Sequence, residues 1–474
     1  MNKIFILILA STLGVCNVYA QTVTSYPPVP SKQQLTWHQL EFYLFVHFGP
    51  NTFTDIEWGH GDEAADIFNP ANLDCRQWAR IAKQSGAKGI IITAKHHDGF
   101  CLWPSKYSKH TVRESKWKNG KGDVLKELSQ ACREYDLKFG VYISPWDRNH
   151  PLYGTPKYNE VFVNMMKEIF SNYGPIWELW WDGANGEGPN GKKQVYDWRK
   201  FENTVRKISP ATIVFSDIGP HIRWVGNEAG IAGKTNWNLL DTAGYARGIG
   251  APHTDTLNQG NTYGKNWIPA ECDVSIRPGW FYHAKENDKV KTPDQLFDLY
   301  LKSVGRGANY LLNVPPDMRG LIHPNDSAAL VGFKKLLDEN FKKNIVKSKK
   351  VQILSGKDVT HTNFLTDQST KTYVELTRYQ NKSLKFFFNE PVEINSIVLQ
   401  EMIEFGQRIQ NFEFVLESIE GTHTIQGTTV GRKRIISFPS LKVKSIVLRI
   451  TQAKAQPILS EISVYRIEET LIEK

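Results

Sequence analysis

The sequence has little cysteine and no paired cysteine motif: Cys16, Cys75, Cys101, Cys132 and Cys272 lie far apart, with no CxxC spacing. That pattern argues against a zinc centre and leaves disulfides among Cys75, Cys101, Cys132 and Cys272 open. No Gly-rich phosphate loop follows the first apolar run, so the main mark of a dinucleotide-binding sheet is missing. After the first twenty residues no segment has the unbroken apolar stretch that a membrane span needs. Internal repeats and low-complexity tracts are absent, and the only block of like charge is a short basic run at 342–350, read as a solvated linker. Lys and Arg number 58 against 49 Asp and Glu, a formal charge of +9. Scattered in this way, the charge permits weak attraction to anionic polymers or surfaces and does not imply nucleic acid.

What the chain does have is size and aromatic content. Its 474 residues, 41% hydrophobic, exceed what one compact domain usually needs, so two domains are expected. The 14 Trp and 18 Tyr are mostly core fillers, but rings at strand ends can stack on the apolar faces of sugars. Residues 1–20 carry Lys3, an apolar run and then Val18-Tyr19-Ala20, the layout of a cleaved secretory signal peptide. The mature chain is therefore expected to be secreted or periplasmic. Lipid attachment at Cys16 is the less favoured reading, because Val15 fits a lipobox poorly.

From residue 21 to 345, apolar strand-like runs alternate with amphipathic helix-like ones, the pattern of a parallel sheet wound with helices. The runs fall at 42–49, 88–97, 139–144, 176–182, 212–217, 268–273 and 309–314, with helices between such as 76–85, 124–135, 161–171 and 197–208. Seven runs at this spacing predict an α/β fold, a (β/α)8-like TIM-type barrel, with a degenerate eighth strand near 235–240. An open doubly wound sheet is the rival. From 346 to 474 the runs become short and alternating, which predicts a C-terminal β-sandwich of discoidin or galactose-binding-like type. Such a module serves either as a structural cap or as a sugar-binding unit.

In a barrel of this kind the reacting groups gather where strands end, so polar residues that close an apolar run are the candidates. Five ends stand out: His47-Phe48-Gly49, Lys95-His96-His97-Asp98-Gly99-Phe100, Tyr142-Ile143-Ser144, Trp180-Trp181-Asp182-Gly183 and Ser216-Asp217. The last leads into Arg223-Trp224-Val225-Gly226-Asn227-Glu228. A lone Asp at a strand end is more often a cap or turn residue. Behind Trp180 and Trp181 and before Gly183, however, Asp182 has what a glycosidase nucleophile needs: a shielded, rigid position open to a ligand. His96 and His97 lack a third ligand at metal spacing, and as neighbours on a strand they would point to opposite faces. Hydrogen bonding to sugar hydroxyls from a frayed strand end is the better reading, and no metal is expected.

With Val46-His47-Phe48-Gly49, Glu57-Trp58, the KHHDGF and WWDG segments and Arg277-Pro278-Gly279-Trp280 in this order, the chain resembles glycoside hydrolase family 29, the α-L-fucosidases. The resemblance spans residues 35 to 340 and implies a retaining, exo-acting hydrolase that needs no cofactor and acts on fucosylated oligosaccharides or glycoconjugates. It implies that Asp182 is the nucleophile and that His47, Glu57, Trp58, His96, His97, Tyr142 and Trp280 line the fucose pocket. The segment from Arg223 to Glu228 looks like the acid/base loop of the narrow branch, which cleaves α-1,3 and α-1,4 fucosyl linkages. Glu228 is accordingly the expected acid/base, Asp217 and Glu271 are its competitors, and Arg223 and Asn227 are candidate contacts for a neighbouring galactose or shapers of the loop. A broad fucosidase that also takes α-1,2 linkages is the alternative within enzymes, and a non-catalytic carbohydrate-binding protein is the alternative outside them.

Overall fold

The computed structural model describes residues 23–247 and 250–472, so the expected signal peptide at 1–20 lies outside the described residues. Strands β1 (Phe42–Val46), β2 (Gly89–Lys95), β3 (Lys138–Ile143), β4 (Glu178–Trp181), β5 (Ile213–Ser216) and β6 (Ile222–Trp224) form most of a parallel barrel. A short antiparallel ladder of β7 (Leu239–Leu240) and β8 (Asn266–Trp267) comes next. Then β9 (Ala270–Ser275) and β10 (Asn309–Asn313) close the barrel, in the order β1-β2-β3-β4-β5-β6-β9-β10.

The expected barrel is present, but its eighth strand is not at 235–240. It is β6, pairing in parallel with β5 on one side and β9 on the other. Residues 217–221 carry the chain straight from β5 to β6 with no crossover helix, turning through Gly219 at a φ of 101°. Parallel neighbours usually need a crossover of a dozen residues or more, so a search for alternating strands and helices passes over this one. The stretch around 235–240 is apolar for another reason. Trp237 and Leu239 bury themselves against Trp267 and Ile403.

The helices begin where the sequence supplies caps. Asp74, Asp123 and Asp197 accept backbone N–H groups at the starts of the helices Cys75–Gln84, Val124–Glu134 and Trp198–Ile208. Their apolar stripes pack on the outer faces of the strands through Leu44, Ile90, Ile92, Val141, Leu179 and Leu312. The alternate residues, Tyr43, Phe45, Ile91, Tyr142, Trp180, Phe215 and Leu311, fill the barrel interior. This period of two sets up the site, because the next residue of the inward series lies at the barrel mouth. It is His47 after Phe45, Asp182 after Trp180, Asp217 after Phe215 and Asp273 after Glu271.

After the helix Pro324–Asn340 the chain enters an antiparallel β-sandwich: β11 (Val351–Ser355), β12 (Asp358–Thr362), β13 (Val374–Glu375), β14 (Lys382–Glu401), β15 (Ile409–Ser418), β16 (Thr422–Thr428), β17 (Arg434–Ala453) and β18 (Ile458–Tyr465). The first half of β14 lies between β11 and β17, the second half between β17 and β18, with bulges where it bends from one layer to the other. The sandwich braces the barrel at the end opposite its mouth, where the strands begin. Gln407 accepts from Asn238 N at 2.8 Å and donates to Asn236 O at 3.0 Å, while Arg432 and Lys433 pair with Glu41 at 3.3 and 2.6 Å. Cys75, Cys101, Cys132 and Cys272 are buried free thiols, which settles the open question of their pairing. Among the described residues no helix is long and apolar enough to cross a membrane.

Candidate active site

The mouth of the barrel holds a cavity of ≈ 190 Å³. Its wall includes the expected catalytic pair, Asp182 and Glu228, and all seven residues expected to line the pocket, His47, Glu57, Trp58, His96, His97, Tyr142 and Trp280, but not Asp217, Glu271, Arg223 or Asn227. Asp182 emerges one residue past β4 on the inward face. Its Oδ1 accepts Ala184 N at 2.7 Å and its Oδ2 accepts the Tyr142 hydroxyl at 2.9 Å, with His97 Nε2 at 3.7 Å. Two donors on one carboxylate fix its direction. Trp180, directly below, stacks on Phe215 at 3.8 Å and donates its indole N–H to Glu271 at 2.8 Å.

Three histidines form one wall. His47 Nδ1 shares a hydrogen with Asn313 Oδ1 at 2.8 Å, and His97 Nδ1 bonds Ser144 Oγ at 2.8 Å. Burial lowers the pKa of His47 to about 3 and that of His97 to about 4, the latter in spite of Asp182 nearby. Burial, with the neighbouring His97 and His47, takes His96 well below the usual imidazole range. At neutral pH these rings are uncharged, each with one donor and one acceptor, which suits hydroxyl groups. The pair His96-His97 reaches the same cavity because β2 stops at Lys95, after a shift in its pairing with β3, and the strand rule no longer applies. The two ring centroids are 4.2 Å apart. Among the described residues no group of three or more His, Cys, Asp or Glu is placed to hold a metal ion.

The opposite wall is built by loops. Trp58, 51% exposed, stands edge-on to His97 and Trp146 over the rim. Glu57 carries a load that the sequence did not disclose: it accepts Trp280 N at 3.0 Å, Phe281 N at 3.2 Å and His283 Nε2 at 2.7 Å. Trp280 in turn donates its indole N–H to Glu228 Oε2 at 3.1 Å. The loop after β1, the loop after β9 and the loop after β6 are thereby tied together around the cavity.

Comparison with known proteins bears on what such a cavity does. The α-L-fucosidase family model matches residues 22–342. The chain belongs to the α-L-fucosidase family. It is 40% identical to Alpha-L-fucosidase 1 of Arabidopsis thaliana, over 92% of this chain and 87% of that protein. With the human plasma alpha-L-fucosidase it shares 27% identity over 64% and 68% of the two chains. Among solved structures, a glycoside hydrolase 29 family member from a rumen bacterium is 40% identical, with a TM-score of 0.82 over 94% of this chain and 78% of that one. A Ruminococcus gnavus GH29 fucosidase in complex with fucose is 29% identical, with a TM-score of 0.85 over 96% and 98%. Family membership makes this chain a glycoside hydrolase whose substrates are fucosylated.

The competing carboxyls of this fucosidase separate clearly by their surroundings. Glu271 is fully buried inside the barrel, bonded to the Tyr43 hydroxyl and the Trp180 indole, and is not part of the cavity wall. Asp217 opens into a cleft beside the cavity, where burial and the nearby Asp182 push its pKa up to about 6. Arg223 proves structural: its guanidinium, fully buried, binds the carbonyls of Leu257 and Ile268, Asn236 Oδ1 at 3.2 Å and Trp237 O at 3.0 Å. Asn227 shapes its own turn, accepting Ala229 N at 3.1 Å and donating to Ile231 O at 2.9 Å. Arg223 is sealed in the interior, and Asn227 commits its amide oxygen to the backbone of its own loop. Asp273 was missed. It stands two residues past Glu271 on β9, so the inward series that pointed to Asp182 points to it as well.

Proposed function

We propose that the enzyme is a retaining, exo-acting α-L-fucosidase that removes α-1,3- and α-1,4-linked terminal fucose from branched, Lewis-type glycans outside the cytoplasm, as a secreted or periplasmic protein. The observation that carries this reading is the meeting of Asp182 and Glu228 in one small cavity walled by uncharged histidines and by Trp58 and Trp280. In the reading, the histidines and Tyr142 bond the hydroxyls of fucose, and the indoles pack on its ring and methyl group. Asp182 attacks the anomeric carbon, the glycosidic oxygen leaves with a proton from Glu228, and a covalent fucosyl-enzyme results. Glu228, now a carboxylate, takes a proton from water, which hydrolyses the intermediate and restores both groups. The narrow linkage preference is supported by the segment from Arg223 to Glu228, which is β6 and its loop.

Two variants test the roles. Asp182→Gly abolishes turnover, and added azide partly restores cleavage with an inverted β-fucosyl azide as product. Glu228→Ala slows cleavage of oligosaccharides far more than formation of the fucosyl-enzyme from an activated aryl fucoside, and azide then gives the α-configured product. Wild-type rates from Asp182→Gly would remove it from the mechanism. On linkage, 3-fucosyllactose is cleaved much faster than 2′-fucosyllactose; equal rates would place the enzyme in the broad branch.

A further inference from the structure

Beside the cavity, and sharing Trp180, Asp182, Glu228 and Asp273 with it, runs a second and larger cleft of ≈ 350 Å³. Its far wall is formed by Asp217, Trp224 and Thr254. Two acidic side chains therefore face a space that begins where Glu228 stands. Asp273 is 4% exposed, and its Oδ1 has no hydrogen-bond partner. An unpaired buried oxygen of this sort is costly, and a native structure that keeps one calls for an explanation. Asp217 is half-buried and presses against the backbone of Gly183, where a Cβ would collide with its carboxyl oxygens. Its carboxyl accepts a hydrogen bond from its own backbone.

We propose that this cleft seats the leaving-group sugar, and that Asp217 and Asp273 are specificity-determining residues that bind its hydroxyls while Trp224 supplies an apolar face. The proposal rests on the reading of Glu228 as acid/base, since it is Glu228 that places the glycosidic oxygen at the junction of cavity and cleft. The chemistry of the pair fits a sugar. Burial, together with Glu228 and Glu271, pushes Asp273 well above the ordinary carboxylate range, so it carries a proton and can donate and accept at once. Asp217, its pKa pushed up to about 6 by burial and Asp182, is mostly ionised at neutral pH and serves mainly as an acceptor for adjacent hydroxyls. Half-buried Trp224 offers part of its indole to the C–H face of a pyranose ring. Arg223 and Asn227 do not line this cleft.

The test compares a substrate that fills the cleft with one that does not. Asp217→Asn and Asp273→Asn are assayed in the full-length enzyme on 3-fucosyllactose and on 4-nitrophenyl α-L-fucoside, and lactose is titrated as a competing product. The expected result for Asp217→Asn is a fall in kcat/KM on 3-fucosyllactose at least about tenfold larger than the fall on the aryl fucoside, the size of one lost charge-assisted hydrogen bond, while Asp273→Asn, which keeps a donor and an acceptor, shows the same preference to a smaller extent. Inhibition by lactose weakens in parallel. Equal losses on the two substrates with unchanged lactose inhibition would overturn the assignment, and so would no loss on either. Asp217 is half-buried, so its variant remains informative if Asp273→Asn fails to fold. Lactose inhibition involves no chemical step. A failure of Glu228→Ala to discriminate between leaving groups therefore sinks the acid/base reading, while the lactose result judges the cleft separately.

Discussion

Removing the Glu57 carboxylate, which also lines the cavity, should injure catalysis through the loop that it holds. Glu57 accepts three hydrogen bonds, from Trp280 N, Phe281 N and His283 Nε2, and these hold the loop whose indole reaches Glu228. Hydrogen bonds to a charged acceptor contribute about 1.5–3 kcal/mol each when shielded from water. The Glu57 side chain is 37% exposed, so about 1 kcal/mol apiece is the fitting figure, or about 3 kcal/mol for the three. If all of that orders the loop for the transition state, Glu57→Ala lowers kcat/KM by about 150-fold; water that replaces some of the bonds brings the loss nearer to tenfold. Glu57→Gln, which keeps one carbonyl oxygen, should lose roughly half as much in free energy. The assay is kcat/KM on an aryl fucoside for Glu57→Ala, Trp280→Phe and the double variant. Because both changes act on the same contact with Glu228, the double variant should lose less than the product of the single losses. Losses that multiply independently, or a Glu57→Ala enzyme within twofold of wild type, would refute the linkage of the two loops.

Other outcomes depend on single contacts. Burial opposes a charge on His283, but the bonds to Asp55 and Glu57 outweigh it and raise the pKa above 6.5. Its stabilisation is therefore complete below pH 6.5 and is lost as pH rises through the raised value, so the difference in unfolding temperature between wild type and His283→Gln should shrink from pH 5.5 to pH 8.5. Arg277 and Asp326 form a fully buried pair with bonds of 2.8 to 3.1 Å, and Arg277→Ala should cost about 3–5 kcal/mol in denaturant unfolding. The double change Arg277→Met/Asp326→Leu should recover much of that loss; no recovery would mean that the pair itself is the source of stability. Gly183→Ala places a methyl group against the Asp217 carboxyl, a side chain that can swing aside. Unfolding temperature should change little while kcat/KM on 3-fucosyllactose drops, and a large loss of stability instead would show that Asp217 is locked in place.

Much of this molecule is written in local runs of residues. The seven expected barrel strands are short apolar runs, and the mouth residues continue the inward alternation, as Asp182 does after Trp180. The same alternation, carried two residues past Glu271, would have produced Asp273. What the sequence conceals are relations between distant residues: Glu57 with Trp280, His47 with Asn313, Gln407 with the backbone of Asn236 and Asn238. Arg223 illustrates the limit well. In a loop-like motif its charge suggests a ligand contact, and only the fold shows four partners already gathered around its guanidinium. Strand β6 escaped notice because its three residues and direct connection give no periodicity to detect.

That brevity has an evolutionary reading. Strand β6 meets each neighbour through only two paired positions, so it is the thinnest stave of the barrel, and the chain that bears Glu228 departs from it. Few of its main-chain bonds depend on the residues that come after Trp224. Lengthening or exchanging that stretch leaves the other seven staves and the carboxylate of Asp182 as they are. A lineage can therefore relocate the carboxylate of Glu228 while inheriting Asp182 and the rest of the cavity wall unchanged.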